Sequence, residues 1–88
     1  MKQLKEFQYI IQDNEGIHAR PAGLLVKEAQ KYTASIKIQK ETKQADAKRL
    51  FAIMGLAAKK GEEITVLIDG PDEAECAQAL QSFFKDNL

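Results

Sequence analysis

Tryptophan is absent from this sequence, cysteine and histidine occur once each, and proline and tyrosine twice each. One cysteine excludes a disulfide framework within the chain and any zinc site built on several thiolates. One histidine excludes a histidine-rich cluster, so neither a metal nor another cofactor is expected. Charge of one sign is lacking as well. Thirteen basic and thirteen acidic side chains leave a formal net charge of zero and a pI near 6.6. General nucleic-acid binding needs a basic excess to neutralise phosphates, so that class is set aside. No stretch approaches the roughly 18–20 apolar residues of a membrane span. The first six residues show no apolar signal region either. A lone thiol without an export signal makes the cytoplasm the expected compartment.

What is present suits one small globular domain spanning residues 1–88, with 44% hydrophobic and 30% charged residues. Residues 1–44 carry a net charge of +3 and residues 45–88 one of −3. Phe7, Tyr9 and Ile11 alternate with Gln8, Ile10 and Gln12, the period of a half-buried strand, and Asp13–Gly16 breaks it as a polar turn. From Pro21 to about Lys31 the period changes: Ala22, Leu25, Val26 and Ala29 share one helical face. Pro21 suits the first turn of that helix, where its missing N–H costs nothing. Ile36 and Ile38 mark a second strand, and Lys43–Asp46 a weak third reached through Glu41-Thr42. Ala47, Leu50, Phe51 and Met54 space as one face of a short helix that stops near Gly55. Ile64, Val66 and Ile68 form the clearest strand, ended by Gly70-Pro71. Asp72 then offers an N-cap, with Glu75 three residues on completing a capping box. Cys76, Leu80, Phe83 and Phe84 line the closing helix. Cys76 and the aromatic residues Phe7, Tyr9, Phe83 and Phe84 read as core and not as a base-stacking platform. The order β-α-β-β-α-β-α, without repeats or linkers, implies an α+β, open-faced two-layer sandwich.

Chemistry concentrates in Gly16-Ile17-His18-Ala19-Arg20-Pro21-Ala22. His18 stands where a polar turn meets a helix N-terminus, whose amides lack intrahelical partners and attract anions. The positive end of the dipole favours the neutral, nucleophilic ring. Arg20, two residues on, offers a planar fork that matches phosphate oxygens. Gly16 and Ala19 are small enough for another protein's active site to approach closely. Ala19 and Ala22 leave the helix start without a side-chain cap. Asp13 and Glu15 read as turn residues. Spacing alone leaves two readings open: a surface or capping histidine without chemistry, or a histidine that carries a phosphoryl group.

The same seven residues resemble the active-site signature of the histidine-containing phosphocarrier (HPr) family of the bacterial phosphoenolpyruvate:sugar phosphotransferase system. The resemblance runs along the chain through Leu25–Ala29, Ala47–Met54 and Lys60–Val66. It implies a four-stranded antiparallel sheet with three helices on one face. It also implies that His18 accepts a phosphoryl group on Nδ1 from phosphorylated enzyme I and passes it to the IIA units of sugar permeases. Arg20 then accompanies the phosphohistidine, and Gly16, Ala19 and Pro21 support the phosphate-bearing turn. Such a protein is a monomeric carrier, a substrate of other phosphotransferases and not itself an enzyme. The resemblance places partner docking on Leu24, Lys27, Arg49, Leu50, Phe51 and Met54, which for Leu50 and Met54 competes with plain core packing.

Two departures from the family pattern matter. Many members carry a regulatory serine at the start of the second helix, and alignment puts Arg49 there. A phosphoserine would add about −1.5 to −2 of charge beside the docking face, whereas Arg49 is permanently positive. No regulatory serine is therefore expected, since Ser35 and Ser82 lie elsewhere. An Asn-Gly-like turn is replaced by Glu41-Thr42, which puts the geometry of that hairpin in question. A partner-binding regulator with little part in sugar flux is the alternative function, and an interaction module with a silent His18 the third.

Overall fold

The computed structural model describes residues 5–88. Along Glu63–Asp69 the side chains of Ile64, Val66 and Ile68 are fully buried while their neighbours are not, and this strand lies inside the sheet. The elements in chain order are β1 (Lys5–Ile10), α1 (Ala19–Ala29), β2 (Ser35–Lys40), β3 (Lys43–Asp46), α2 (Leu50–Gly55), β4 (Glu63–Asp69) and α3 (Glu73–Asn87). The sheet runs β1-β4-β2-β3, and every neighbouring pair is antiparallel. Val66 stands opposite Phe7 on one side and Ile38 on the other, and Ile38 opposite Ala45, so the apolar parity matches across all four strands. Leu25 and Ala29 of α1, Ile53 of α2, and Cys76, Leu80 and Phe84 of α3 close over that side into one core. Phe84 anchors it, with ring centroids 5.8 Å from Phe7 and 5.5 Å from Tyr9. The Tyr9 hydroxyl donates to the Phe84 carbonyl at 3.0 Å. The α+β order is that read from the sequence, and the four-stranded antiparallel sheet is that implied by the resemblance.

Local details differ. Helix α1 begins at Ala19, two residues before the expected start, and Pro21 falls third in it. The first amides of a helix have no intrahelical acceptor, so proline is tolerated there as well. Helix α2 starts at Leu50 and excludes Ala47. Ala47 is buried by a turn: its N–H donates to the Ile36 carbonyl at 2.9 Å, and Asp46 accepts from the amides of Lys48 and Arg49. Helical spacing at 47–54 therefore takes in Ala47, which is buried without being helical, and includes Phe51 and Met54, which are exposed, while the residue that α2 buries is Ile53. The β2–β3 hairpin closes over two residues, with Lys40 opposite Lys43. Glu41 takes the left-handed conformation that glycine or asparagine more commonly fills (φ 56°).

The capping box is not formed. Asp72 occupies the N-cap of α3, but its carboxylate accepts from Thr33 N–H and Ala34 N–H, both at 2.9 Å. Glu73, and not Glu75, reaches back to Gly70 N–H at 3.1 Å. The amide of Thr33, ahead of that of Ala34, holds the Asp72 carboxyl below its ordinary value of 3.8. A lowered native pKa stabilises the fold above that value and loses its effect as pH falls through the native one. In thermal melts, wild type is expected to exceed Asp72→Asn at pH 7, and the gap should close under strong acid. A gap independent of pH would show that the carboxylate's charge is irrelevant.

Candidate functional site

The turn between β1 and α1 is built by its own short bonds. Asp13 accepts the Glu15 N–H on its side chain at 2.8 Å and the Gly16 N–H on its carbonyl at 3.0 Å. Gly16 then takes φ 69°, and its α-carbon lies flat against the backbone of Ala58 and Lys59. A Cβ at this position would run into the Ala58 carbonyl oxygen and come within 2.9 Å of the Lys59 α-carbon. Ile17 drops its side chain into the core, and its N–H donates to that same Ala58 carbonyl at 3.0 Å. The next residue, His18, is extended (φ −97°, ψ −174°) and occupies the N-cap of α1.

An N-cap side chain commonly accepts from the first helical amides, but His18 makes no such bond. Its carbonyl receives the Ala22 N–H at 3.0 Å, opening the helix, while the amides of Ala19 and Arg20 precede that bond. These amides point along the positive end of the helix, and Pro21 adds none. The imidazole is 36% exposed, and its Nε2 lies 3.6 Å from a Glu15 carboxylate oxygen. Glu15, read from the sequence as a turn residue only, thus stands beside the ring. Arg20 and Ala19 are exposed, while Gly16 and Pro21 are buried beneath them. Among the described residues, no hydrogen bond or ion pair occupies the Arg20 guanidinium. The capping reading of His18 is excluded by this geometry. What remains is a half-exposed ring with Glu15 near its Nε2, at the start of α1 and two residues before an exposed Arg20.

Helices α1 and α2 pack against each other. Leu24 on α1 and Met54 on α2 are exposed, and Phe51 is 84% exposed. Lys27 and Arg49 are exposed too, Arg49 as the N-cap of α2. Leu50 is half-buried and packs on the core, so only part of it faces outward. Burial pushes the Cys76 thiol up to about 11, which keeps it protonated at neutral pH. No helix among the described residues is long and apolar enough to cross a membrane. The segment from Ala57 to Glu62 seats Gly16 and so belongs to the site, although no motif within it points there. Its only local signal was the Lys60-Gly61 turn.

Comparison with known proteins agrees with the geometry. Residues 5–86 match the family model described as the PTS HPr component phosphorylation site. The chain is 40% identical over 83 residues to the phosphocarrier protein HPr of Mycoplasma capricolum subsp. capricolum, covering 94% of this chain and 93% of that protein. It is 39% identical over 80 residues to the HPr-like protein Crh of Halalkalibacterium halodurans, covering 91% and 95% respectively. A solved Mycoplasma histidine-containing phosphocarrier protein superposes with a TM-score of 0.90 at 40% identity, covering 93% of each chain. With the sheet order, the turn at Gly16–Ala22 and these likenesses together, the chain belongs to the HPr family, the phosphocarrier proteins of the phosphotransferase system.

Proposed function

We propose that His18 accepts a phosphoryl group from phosphorylated enzyme I and passes it to the IIA units of sugar permeases. The carrying observation is a half-exposed N-cap imidazole that does no capping, at the start of α1 and two residues before an exposed Arg20 that makes no hydrogen bond or ion pair among the described residues. Glu15 lies on the Nε2 side of the ring, which favours a proton on that nitrogen and leaves Nδ1 as the acceptor. In the transfer the Nδ1 lone pair forms the new bond to phosphorus as the bond from phosphorus to its donor breaks. The Arg20 fork and the amides of Ala19 and Arg20 balance charge on the phosphoryl oxygens. The second transfer repeats the step with the chain as donor. Catalytic power then resides in the partners, and the chain is their substrate and not an enzyme. The cytoplasm, where phosphoenolpyruvate and these partners meet, is the proposed compartment, and a monomer the proposed working form.

Docking is proposed around the same turn. Leu24, Phe51 and Met54, with the outer part of Leu50, give an apolar centre, and Arg20, Lys27 and Arg49 supply cations suited to acidic partner rims. Phe51→Ala is expected to leave the melting temperature nearly unchanged, because the ring is almost fully solvated. It is expected to raise KM for enzyme I and for IIA by about 5–30-fold, as befits an aromatic anchor, with kcat little altered. Unchanged KM for both partners would remove Phe51 from the interface. Arg49 offers no hydroxyl to a serine kinase, so regulation through the start of α2 is not proposed.

The relay itself is tested by charging the chain with phosphoenolpyruvate, magnesium and enzyme I, removing enzyme I, and adding each IIA unit of the same organism. Discharge to a IIA unit supports the carrier. The likeness to an HPr-like protein Crh motivates the second reading, a partner-binding regulator with little part in sugar flux. A charged chain that keeps its phosphoryl group before every IIA unit would favour that reading.

A further inference from the structure

We infer that Lys40 and Glu62, which lie outside the signature turn, are positioning residues for His18, acting through the backbone of Ala57–Lys59. The inference rests on His18 as the phosphoryl acceptor. The Lys40 side chain is only 14% exposed and its ammonium bridges two groups: it donates to the Ala57 carbonyl at 3.1 Å and to Glu62 Oε1 at 3.3 Å. The same Glu62 oxygen accepts the Lys59 N–H at 2.7 Å. Two side chains thus clamp the backbone on both sides of Ala58.

That clamp has something to hold. Ala57 takes φ 51°, a conformation that costs an L-residue about 1–2 kcal/mol and persists only where its surroundings impose it. Ala58, the next residue, presents the carbonyl that receives Ile17 N–H and leaves no room beside Gly16 for a side chain. Reciprocal bonds tie the far end of the segment to β1's exit: Ile11 N–H to the Glu62 carbonyl at 3.0 Å, and Gly61 N–H to the Ile11 carbonyl at 2.8 Å. The Lys60 ammonium reaches Asn14 Oδ1 at 2.9 Å. Shifting Ala58 therefore shifts Ile17, and His18 is bonded directly to Ile17. Displacing a reacting group by about 1 Å can cost on the order of a hundredfold in rate, so a clamp two contacts away has leverage on the transfer.

The test uses the full chain carrying Lys40→Met, Glu62→Gln or Lys40→Arg. Lys40→Met keeps the aliphatic stem and removes the donor, while Lys40→Arg restores a cation that can reach both acceptors. Amide hydrogen exchange at Ile17 and Val66 is read in the unphosphorylated protein, alongside kcat and KM for phosphoryl transfer from enzyme I. Lys40→Met and Glu62→Gln are expected to speed exchange at Ile17 about tenfold without changing Val66, which reports the core strand. They are expected to lower kcat about tenfold with KM unchanged, since the docking face is untouched, and Lys40→Arg is expected to recover most of both. Unchanged exchange at Ile17, or equal acceleration at Ile17 and Val66, would overturn the inference, as would a normal kcat in a chain whose Ile17 amide has loosened. A wild-type chain that accepts no phosphoryl group would refute the carrier reading and, with it, the catalytic half of the inference. The exchange data would still decide whether the clamp orders the turn.

Discussion

Gly16→Ala is expected to lose about 2–4 kcal/mol of stability, a fall of roughly 10–25 °C in melting temperature for a domain of this size. Two costs combine. An alanine at φ 69° stands in the left-handed region, at about 1–2 kcal/mol. Its methyl group would also meet backbone, the Ala58 carbonyl oxygen and the Lys59 α-carbon, neither of which can swing away as a flexible side-chain tip can. Relief requires the turn to lift, which breaks the Ile17–Ala58 hydrogen bond and carries His18 with it. Phosphoryl acceptance should therefore fall together with stability. Gly23→Ala is the internal control, because it lies within α1 with open space where the methyl group would go. It is expected to gain about 0.5–1 kcal/mol from helix propensity. Thermal melts of the two variants measured side by side check the claim, and a Gly16→Ala protein melting within a few degrees of wild type would refute it.

His18→Ala is expected to behave in the opposite way, with complete loss of phosphoryl acceptance and a stability within about 0.5 kcal/mol of wild type. The ring makes no capping bond, is 36% exposed, and lies 3.6 Å from an exposed Glu15 carboxylate, so removing it leaves neither a cavity nor an orphaned buried group. The backbone bond that opens α1 comes from the His18 carbonyl and survives the substitution. Melting curves and transfer assays on the same preparation separate the effects. A large fall in melting temperature would show that the imidazole has a structural duty. Residual acid-labile phosphate would show that another residue accepts the group.

Much of this could be read from local pattern. The alternation at Ile36 and Ile38 and at Ile64, Val66 and Ile68 depends only on neighbours two residues apart, and those side chains are all buried. Even the weak strand expected around Lys43–Asp46 forms over those residues. The signature at Gly16–Ala22 is equally local, since glycine, turn and helix start follow one another along the chain. What escaped is what distant residues decide. Asp72 has the composition of a capping residue, but the amides of Thr33 and Ala34, nearly forty positions away in sequence, compete successfully for its carboxylate. Ala47 fits a helical face by spacing and is buried by a turn. The Lys40–Glu62 clamp joins the end of β2 to the entry of β4, and nothing near either residue announces it. Nor does any motif mark the left-handed backbone at Glu41 and Ala57, because neither residue type favours it.

Because the chain contains one histidine, labelling histidine with heavy nitrogen yields just two ring signals, both from His18. Magnetic resonance of that labelled protein, recorded before and after incubation with phosphoenolpyruvate, magnesium and enzyme I, tests the central claim most directly. The labelled ring is expected to show nitrogen–phosphorus coupling on Nδ1, a proton retained on Nε2 beside Glu15, and return of the original spectrum after mild acid. An unchanged spectrum, or coupling on Nε2, would contradict that claim.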